Sequence, residues 1–532
     1  MNKSVTKYLL GSLSITLLVY YLILSWILHR SGYEHSENLF IAEKIKILFD
    51  SSENNLVTLG TTFPTLVYLI SLIFTPFGYL YAPILASISL TVILFFTIIN
   101  DFKKTSILPP IVYIPFVALL FFLHPGIIYC AISGRGVAGI LLFFYFLFRS
   151  LFRFYKTQTT FYLSMASIFL TCLVFCDFNF IWLLLAFFPF IVSVSLEGLK
   201  INKDQTPVSQ YFESLNNVSQ RRKLTNRAVA IYIILFLLPI GALFLFSYLN
   251  RTHAGDAYYF MHSQYANWHV IGNTPIGELL ANQIIKGTNA ANQTQIIFQF
   301  YLLLLSPILV LSLLYFKGKL YELLTIAAPF VLIGILIINT QYYFTIEYYL
   351  IFIILGLIVL CFYAKNRFSR LFTSFVFIFI AVLNVYTGIY CFKKTDDYEE
   401  KHFFSVLRHS KEWFSSKSQN EEFEVANYIS KIADLNNKVL IDDAAAFGIV
   451  AHLKSLEGIE LPVNKSFGTI VENPIVGAKY MCVASLNNRY RNFTVLNAYN
   501  LGQMEEKGKF TSQLIFQTNN WSVYKLFPVD DF

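Results

Sequence analysis

Phe63-Pro64-Thr65-Leu66-Val67-Tyr68-Leu69-Ile70-Ser71-Leu72-Ile73-Phe74-Thr75-Pro76-Phe77 is the apolar run on which the topology of this 532-residue chain turns. It starts at a proline and closes on Thr-Pro-Phe-Gly. That leaves too few residues to cross comfortably a hydrocarbon core of about 30 Å at about 1.5 Å per helical residue. Longer apolar runs lie at about 8–28, 79–99, 107–123, 136–150, 158–176, 179–196, 228–248, 296–315, 320–339, 347–364 and 371–391, which makes eleven expected spans. If the short run crossed as well, Lys103, Lys104, Arg149, Arg153 and Lys156 would lie opposite the N-terminus and the other basic clusters, against the positive-inside bias. Lying flat in the outer interface, it leaves every cluster on one side.

The chain therefore reads as a polytopic α-helical membrane protein with about 11 spans and a cytoplasmic N-terminus. Only 14% of its residues are charged and 56% are hydrophobic, whereas soluble domains carry roughly 25% charged residues. The net charge of +8 suggests a nucleic-acid partner until its location is considered. Lys3, Lys7, Lys103, Lys104, Arg149, Arg153, Lys156, Lys200, Lys203, Arg221, Arg222, Lys223, Arg227, Lys317, Lys319, Lys365, Arg367 and Arg370 all fall on expected inner loops. The outer loops of the membrane part hold only Arg30, Lys44, Lys46, Arg135, Arg251 and Lys286. The positive balance is a topology signal, and no nucleic-acid partner is implied.

Near Glu400 the texture changes to mixed polar and apolar sequence, so residues 1–392 form the membrane domain and 393–532 a small C-terminal α/β domain. An odd number of spans puts that domain outside. Glu421 to Ala433 has helical spacing, while Lys438–Ile441, Lys479–Ala484, Leu514–Phe516 and Trp521–Phe527 read as strands. The six cysteines, Cys130, Cys172, Cys176, Cys361, Cys391 and Cys482, show neither a disulfide framework nor a metal knuckle. The first apolar run follows Lys3 and Lys7 but is long and lacks a small-residue cleavage site, so it reads as an uncleaved first span.

Candidate chemistry collects on three outer elements: the loop from His29 to Gly78, the loop from Asn250 to about Gln295, and the C-terminal domain. Glu34 and Glu37 stand just past the first span. Partial desolvation there would raise a carboxyl toward the range of a general base, although acids at a helix start also simply favour its dipole. His253, Asp256, His262 and His269 share the second loop with Arg251. Imidazoles and a carboxylate could hold a divalent metal or, with Arg251, a phosphate, but the histidine spacing matches no compact metal motif. Arg135, in Ser-Gly-Arg-Gly near His124, could fork onto a lipid phosphate or anchor a helix end. Glu347 and Asp177 sit at expected span ends. Asp442 and Asp443 follow a strand and resemble a ligand-facing strand end, but without a Gly-rich loop or partner base the pair reads as an exposed turn.

Taken together, the layout resembles the GT-C superfamily of membrane glycosyltransferases, which includes the protein O-mannosyltransferases and aminoarabinose transferases. Members show D-E-x-x-Y and a small residue just past the first span; Ser36-Glu37-Asn38-Leu39-Phe40 with Ala42 resembles this, with Ser36 in the Asp slot and Phe40 in the Tyr slot. The family's interfacial P-P-L-x-Y-x-L helix is similar to Phe63-Pro64-Thr65-Leu66-Val67-Tyr68-Leu69, with one proline missing. Ser133-Gly134-Arg135-Gly136 resembles the family's Gly/Arg-rich turn, with Val137 and Ala138 where an acid is usual.

The resemblance implies a GT-C-like fold with interfacial helices in the first outer loop. It implies inverting transfer of a sugar from a polyprenyl-phosphate donor to a glycan, lipid or protein acceptor at the outer face of the plasma (inner) membrane. On that reading Glu37 or Glu34 is the base, Arg135 with Arg251 or Lys286 holds the donor phosphate, and His253, Asp256, His262, Tyr68 and Glu347 belong to the substrate region; a divalent metal could assist. A transporter or flippase would place ionisable residues at mid-membrane and show repeated halves, neither of which is visible. A catalytically silent accessory subunit is the remaining alternative, since the acid motif is degenerate.

Overall fold

The structure is a computed structural model that describes residues 3–51, 55–105, 109–199, 216–272, 306–340, 346–364, 369–395, 397–409 and 420–529, with isolated positions 209, 212 and 214. It is mostly helical, with a small C-terminal sheet. Five helices, within Tyr8–Arg30, Ala82–Lys104, Val137–Thr157, Val218–Ala254 and Leu371–Lys393, are long and apolar enough to cross a membrane, or seven if each bent pair is one span. One pair, Pro110–Leu123 and Pro125–Ile132, bends by 62°; the other, Phe178–Ala186 and Phe188–Glu197, bends by 44°. Thr160–Cys176, Leu320–Leu336 and Tyr349–Tyr363 are shorter apolar helices, and a count of eleven takes these in as well. Half of the expected span at 296–315 lies outside the described residues, as does Lys286.

The decisive run divides as its prolines dictate. After Pro64 the helix Thr65–Leu72 is only 8 residues, and a 3₁₀ turn follows at Thr75–Phe77. Eight residues span about 12 Å, less than half of a bilayer core, so this segment does not cross.

In chain order the elements that frame the first loop are α1 (Lys3–Arg30), α2 (Ser36–Asp50), α3 (Asn55–Thr61), α4 (Thr65–Leu72), α5 (Ala82–Thr105), α6 (Pro110–Leu123), α7 (Pro125–Ile132), α8 (Val137–Thr157) and α9 (Thr160–Cys176). The helix α8 packs on α5 and α9, and the 37-residue helix Val218–Ala254 lies along α9 and α3. At the far end of α5, buried Asp101 accepts from Tyr145 at 2.9 Å, Arg149 at 2.9 Å and Arg153 at 3.4 Å, so two of the basic residues of one expected inner cluster share a single carboxylate within the bundle.

The boundary expected at 392/393 falls in the last turn of the helix Arg370–Lys394, and the following helix Tyr398–Arg408 still packs on the bundle through Phe403 against Tyr33 and Tyr129. The C-terminal domain proper has strands β1 (Val439–Leu440), β2 (Ile459–Glu460), β3 (Tyr480–Ala484), β4 (Phe510–Gln517) and β5 (Trp521–Pro528) in the order β2-β1-β3-β5-β4. The strand β1 runs parallel to both neighbours, whereas β3-β5 and β5-β4 are antiparallel. Met481 to Ala484 of β3 are buried without alternation, as a central strand covered on both faces requires. The expected strands are found, together with β2 and the helix Asp443–His452, which periodicity alone did not separate from strand β1.

That helix corrects the reading of Asp442 and Asp443 as an exposed turn. Both are buried, because the Asp442 side chain caps the helix by accepting from the Ala444 N–H and the small residues behind it let the helix pack closely on α2. Phe40 of α2, Trp268, Phe447 and Tyr490 then form one chain of rings, with the Phe447 centroid 6.2 Å from Phe40, 5.8 Å from Trp268 and 5.2 Å from Tyr490. Phe447→Ala should cost about 3–5 kcal/mol and loosen the C-terminal domain from the bundle. A lower thermal midpoint together with faster proteolytic release of residues 420–529 is the expected outcome.

Candidate functional site

The helix α2 is buried from Ser36 to Ile47 on every side, although it carries Glu37, Glu43, Lys44 and Lys46. It lies between the bundle and the Asp443–His452 helix, so each charge must find a partner. Four sets of contacts supply them.

Before α2, Glu34 accepts from His29 Nδ1 at 3.0 Å, His452 Nε2 at 2.7 Å and Asn420 Nδ2 at 2.7 Å. Burial pushes its carboxyl up, but the hydrogen bonds from His29 and His452 outweigh this and bring it down to about 2. In turn, burial lowers His452 while Glu34 raises it, and the net effect is upward. Glu422, half-buried nearby, is pushed up to about 7 by burial. Glu34 thus clasps the first loop to the C-terminal domain. It lines a cavity of about 680 Å³ with Arg30, Asn427, Tyr428 and Lys431.

At the start of α2, His35 caps the helix by accepting from the Glu37 N–H at 3.0 Å through Nδ1, while its Nε2 lies 2.7 Å from Glu399. Glu399 also accepts from Ser36 and, at 2.7 Å, from Arg489. Burial raises its carboxyl, but His35, Arg489 and Ser36 together hold it well below the usual carboxylate range.

Glu37 and Arg135, expected as base and phosphate ligand, meet each other. Arg135 Nε donates to Glu37 Oε2 at 3.2 Å, and the Gly136 N–H donates to Oε1 at 2.8 Å. Gly136 caps α8, so the carboxylate sits at a helix N-terminus, where the dipole favours it. The arginine also lies over the Tyr129 ring at 5.3 Å. Gly134, at φ +72°, is required here, since a Cβ would overlap the Asn38 amide.

About two turns further on, Lys44 Nζ lies 2.9 Å from Asp443 Oδ2 and 3.1 Å from Glu43 Oε1. Its 3.0 Å approach to Glu43 Oε2 lacks hydrogen-bond geometry, and among the described residues neither that atom nor Asp443 Oδ1 has a hydrogen-bond donor. Burial pushes Glu43 far above the usual range, and the charge and hydrogen bonding of Asp443 add to this against the pull of Lys44. Lys44 is desolvated too, yet Asp443 and Glu43 hold it well above the ordinary lysine value. Behind them Asp442 is pushed up to about 6, by burial and then by Asp443, although it accepts from Thr494 and Val495. Burial, and after it the neighbouring Glu43, raises the Tyr68 hydroxyl, which has no hydrogen-bond partner among the described residues.

Lys44 and Asp443 open onto a cavity of about 340 Å³ that is also lined by His253, Tyr259, Tyr265 and Thr62. His253 is at the same time a wall of an apolar groove of about 540 Å³ between α3, α4, α9 and the Val218–Ala254 helix, with Leu66, Leu69, Phe175, Leu245 and Phe246. A polar chamber and an apolar groove therefore share one side chain.

Of the expected site residues, Glu37 and Arg135 are paired, Glu34 is in the clasp, Tyr68 lies beside Glu43, and His253 lines both cavities. Asp256 pairs with His262 at 2.6 Å on the surface, away from any shared metal site, and Arg251 is exposed on the last turn of its helix. Glu347 lies on the helix Ile346–Tyr363, its side chain outside the described residues, and Asp177 is a buried cap that accepts from the Asn179 N–H. Among the described residues, no three His, Cys, Asp or Glu side chains gather as a metal site. Lys44 and Tyr265 carry no such expectation in the sequence, and Asp443 reads there as part of a turn. The one available signal was Lys44 itself, a basic residue inside an otherwise helical apolar stretch of the first loop. No protein-family model and no curated protein matches the chain.

Two outcomes follow from these contacts. Arg135→Met leaves the Glu37 carboxylate buried without its cation and should cost about 3–5 kcal/mol, while the double variant with Glu37→Gln recovers most of the loss in thermal unfolding. The depressed Glu34 carboxyl contributes stability that is complete above its unfolded value near 4.5 and fades as pH falls toward about 2. The gap between wild type and Glu34→Gln, about 3 kcal/mol at neutral pH, should shrink across that window.

Proposed function

We propose that the protein is a membrane glycosyltransferase of GT-C type that moves a sugar from a polyprenyl-phosphate donor to an acceptor at the outer face, with inversion. The observation that carries this reading is the junction at His253. A polar chamber of about 340 Å³ holding buried Lys44 and Asp443 meets an apolar groove of about 540 Å³ lined by leucine and phenylalanine. An isoprenoid tail matches the groove, and a sugar with its phosphate matches the chamber in size and chemistry. A soluble nucleotide-sugar would have no use for the groove, and a transported ion no use for the chamber's tyrosines.

In this reading all eleven apolar runs cross, the N-terminus is cytoplasmic and the C-terminal domain closes the chamber from outside. Glu37 acts as base only by exchanging Arg135 for a substrate group, and Arg135 is then free to meet the donor phosphate. Arg251, two residues before His253 on the same helix end and exposed, would offer a further cation to that phosphate. The saturation of Glu34 and Glu37 by buried partners favours a second reading, a catalytically silent accessory subunit whose outer domain docks on its first loop.

Purified full-length protein in lipid nanodiscs, offered a panel of polyprenyl-phosphate sugars, should release polyprenyl phosphate in an acceptor-dependent manner. No release with any donor supports the accessory reading instead. For topology, an impermeant maleimide applied to intact cells should label Val476→Cys and spare Val218→Cys, both exposed positions. The reverse pattern contradicts the outer placement of the C-terminal domain.

A further inference from the structure

The cluster of Glu43, Lys44 and Asp443 is the least expected feature of the molecule. Three ionisable groups are buried together, each at 3% exposure or less, across the contact between α2 and the C-terminal domain. Two carboxyl oxygens in it, Glu43 Oε2 and Asp443 Oδ1, have no hydrogen-bond donor among the described residues. A carboxyl pair in this setting holds one proton between its members, as like charges at close range cannot both ionise. The resting cluster is then neutral overall: one ammonium, one carboxylate and one carboxyl. It is also not sealed, because Lys44 and Asp443 both form part of the chamber wall.

Resting on the glycosyl-transfer reading, we propose that Asp443, supplied by the C-terminal domain, is the catalytic residue that accepts the proton of the acceptor hydroxyl, with Glu43 as its proton-holding partner and Lys44 as the cation released to the phosphate. The step balances. The acceptor oxygen forms a bond to the anomeric carbon, the bond from that carbon to the phosphate oxygen breaks, and its electron pair leaves with polyprenyl phosphate. The hydroxyl proton passes to the Asp443 carboxylate. As Asp443 loses its charge, the Lys44 ammonium loses its ion-pair partner just as the phosphate passes from a singly charged diester to a doubly charged monoester. The cluster gains one positive charge while the leaving group gains one negative charge, so the buried site needs no other counter-ion.

The groups that face this cluster favour the assignment. Asp442, on the same helix, has its carboxylate occupied by the Ala444 N–H, Thr494 and the Val495 N–H and cannot reach the chamber as a base. From α4, Tyr68 offers an unpartnered hydroxyl beside Glu43. From the loop after the Val218–Ala254 helix, Tyr259 and Tyr265 line the opposite wall, and His253 guards the groove side. Glu37 lines none of the three cavities described and has both oxygens taken.

The test uses full-length protein in nanodiscs with the donor that wild type turns over. Asp443→Asn should lower kcat by about 10²–10⁴-fold with little change in donor KM, the range expected for loss of a positioned proton acceptor. Glu43→Gln keeps the Lys44–Asp443 ion pair but has no proton to lose at high pH, so it should move the basic limb of the kcat/KM profile to higher pH by a unit or more. If Asp443→Asn does not fold, the Glu43→Gln profile decides. Turnover by Asp443→Asn within a few-fold of wild type, or an unmoved limb in Glu43→Gln, overturns the proposal and leaves glycosyl transfer standing. Absence of turnover by wild type with every donor overturns both.

Discussion

Removing a charged side chain from water costs several kcal/mol unless a partner of opposite charge waits for it, and α2 buries four of them in twelve residues. That constraint organises everything around it. Glu37 draws in Arg135 and the start of α8; Lys44 draws in Asp443 and hence the C-terminal domain. Lys46 donates to the Leu453 carbonyl at the end of the same helix and approaches Asp50 at 3.6 Å. A helix that would be unstable alone in either water or lipid becomes the joint through which a membrane bundle and a soluble domain form one body. The aromatic chain from Phe40 to Tyr490 adds the apolar part of the same contact.

A joint of this kind encloses space. Where the charged face of α2 meets the small-residue face of the Asp443–His452 helix, the chamber lies beside α3 and the loop after the Val218–Ala254 helix, and His253 lines both it and the apolar groove. The chamber therefore has walls from both domains. A site built only from the first loop would leave the C-terminal domain without a role in chemistry, whereas here one of its carboxylates is a chamber wall and ion-pairs with the loop's lysine.

Much of this was legible in the sequence, for identifiable reasons. Apolar runs long enough to be helices are set by composition, and the two prolines around Thr65–Leu72 fix that helix as short. The order of α2, α3 and α4 after the first span, and the Gly-Arg-Gly turn before α8, gave the resemblance its shape. The pairing of Glu37 with Arg135 joins positions 98 residues apart, and spacing does not reveal such distances. The same holds for Lys44 with Asp443, 399 residues apart. Asp442 and Asp443 looked like a turn because a polar pair after a strand usually is one. Their burial depends on α2 covering them, which is tertiary and leaves no local trace. Strand β2, with only Ile459 and Glu460 paired, is too short to carry a period.

The central claim is that the chamber and groove joined at His253 are one binding site for a lipid-linked sugar. Its most direct test is photo-crosslinking of full-length protein with two polyprenyl-phosphate sugars, one carrying the photoreactive group on the sugar and the other on the isoprenoid. The sugar probe should label peptides around Tyr259–Tyr265 and Asp443, and the isoprenoid probe those around Leu59–Leu69, Phe175 and Leu245–Leu249, both competed by unlabelled donor. Labelling confined to the cavity around Glu34 and Asn420, or labelling that excess donor does not reduce, would contradict it.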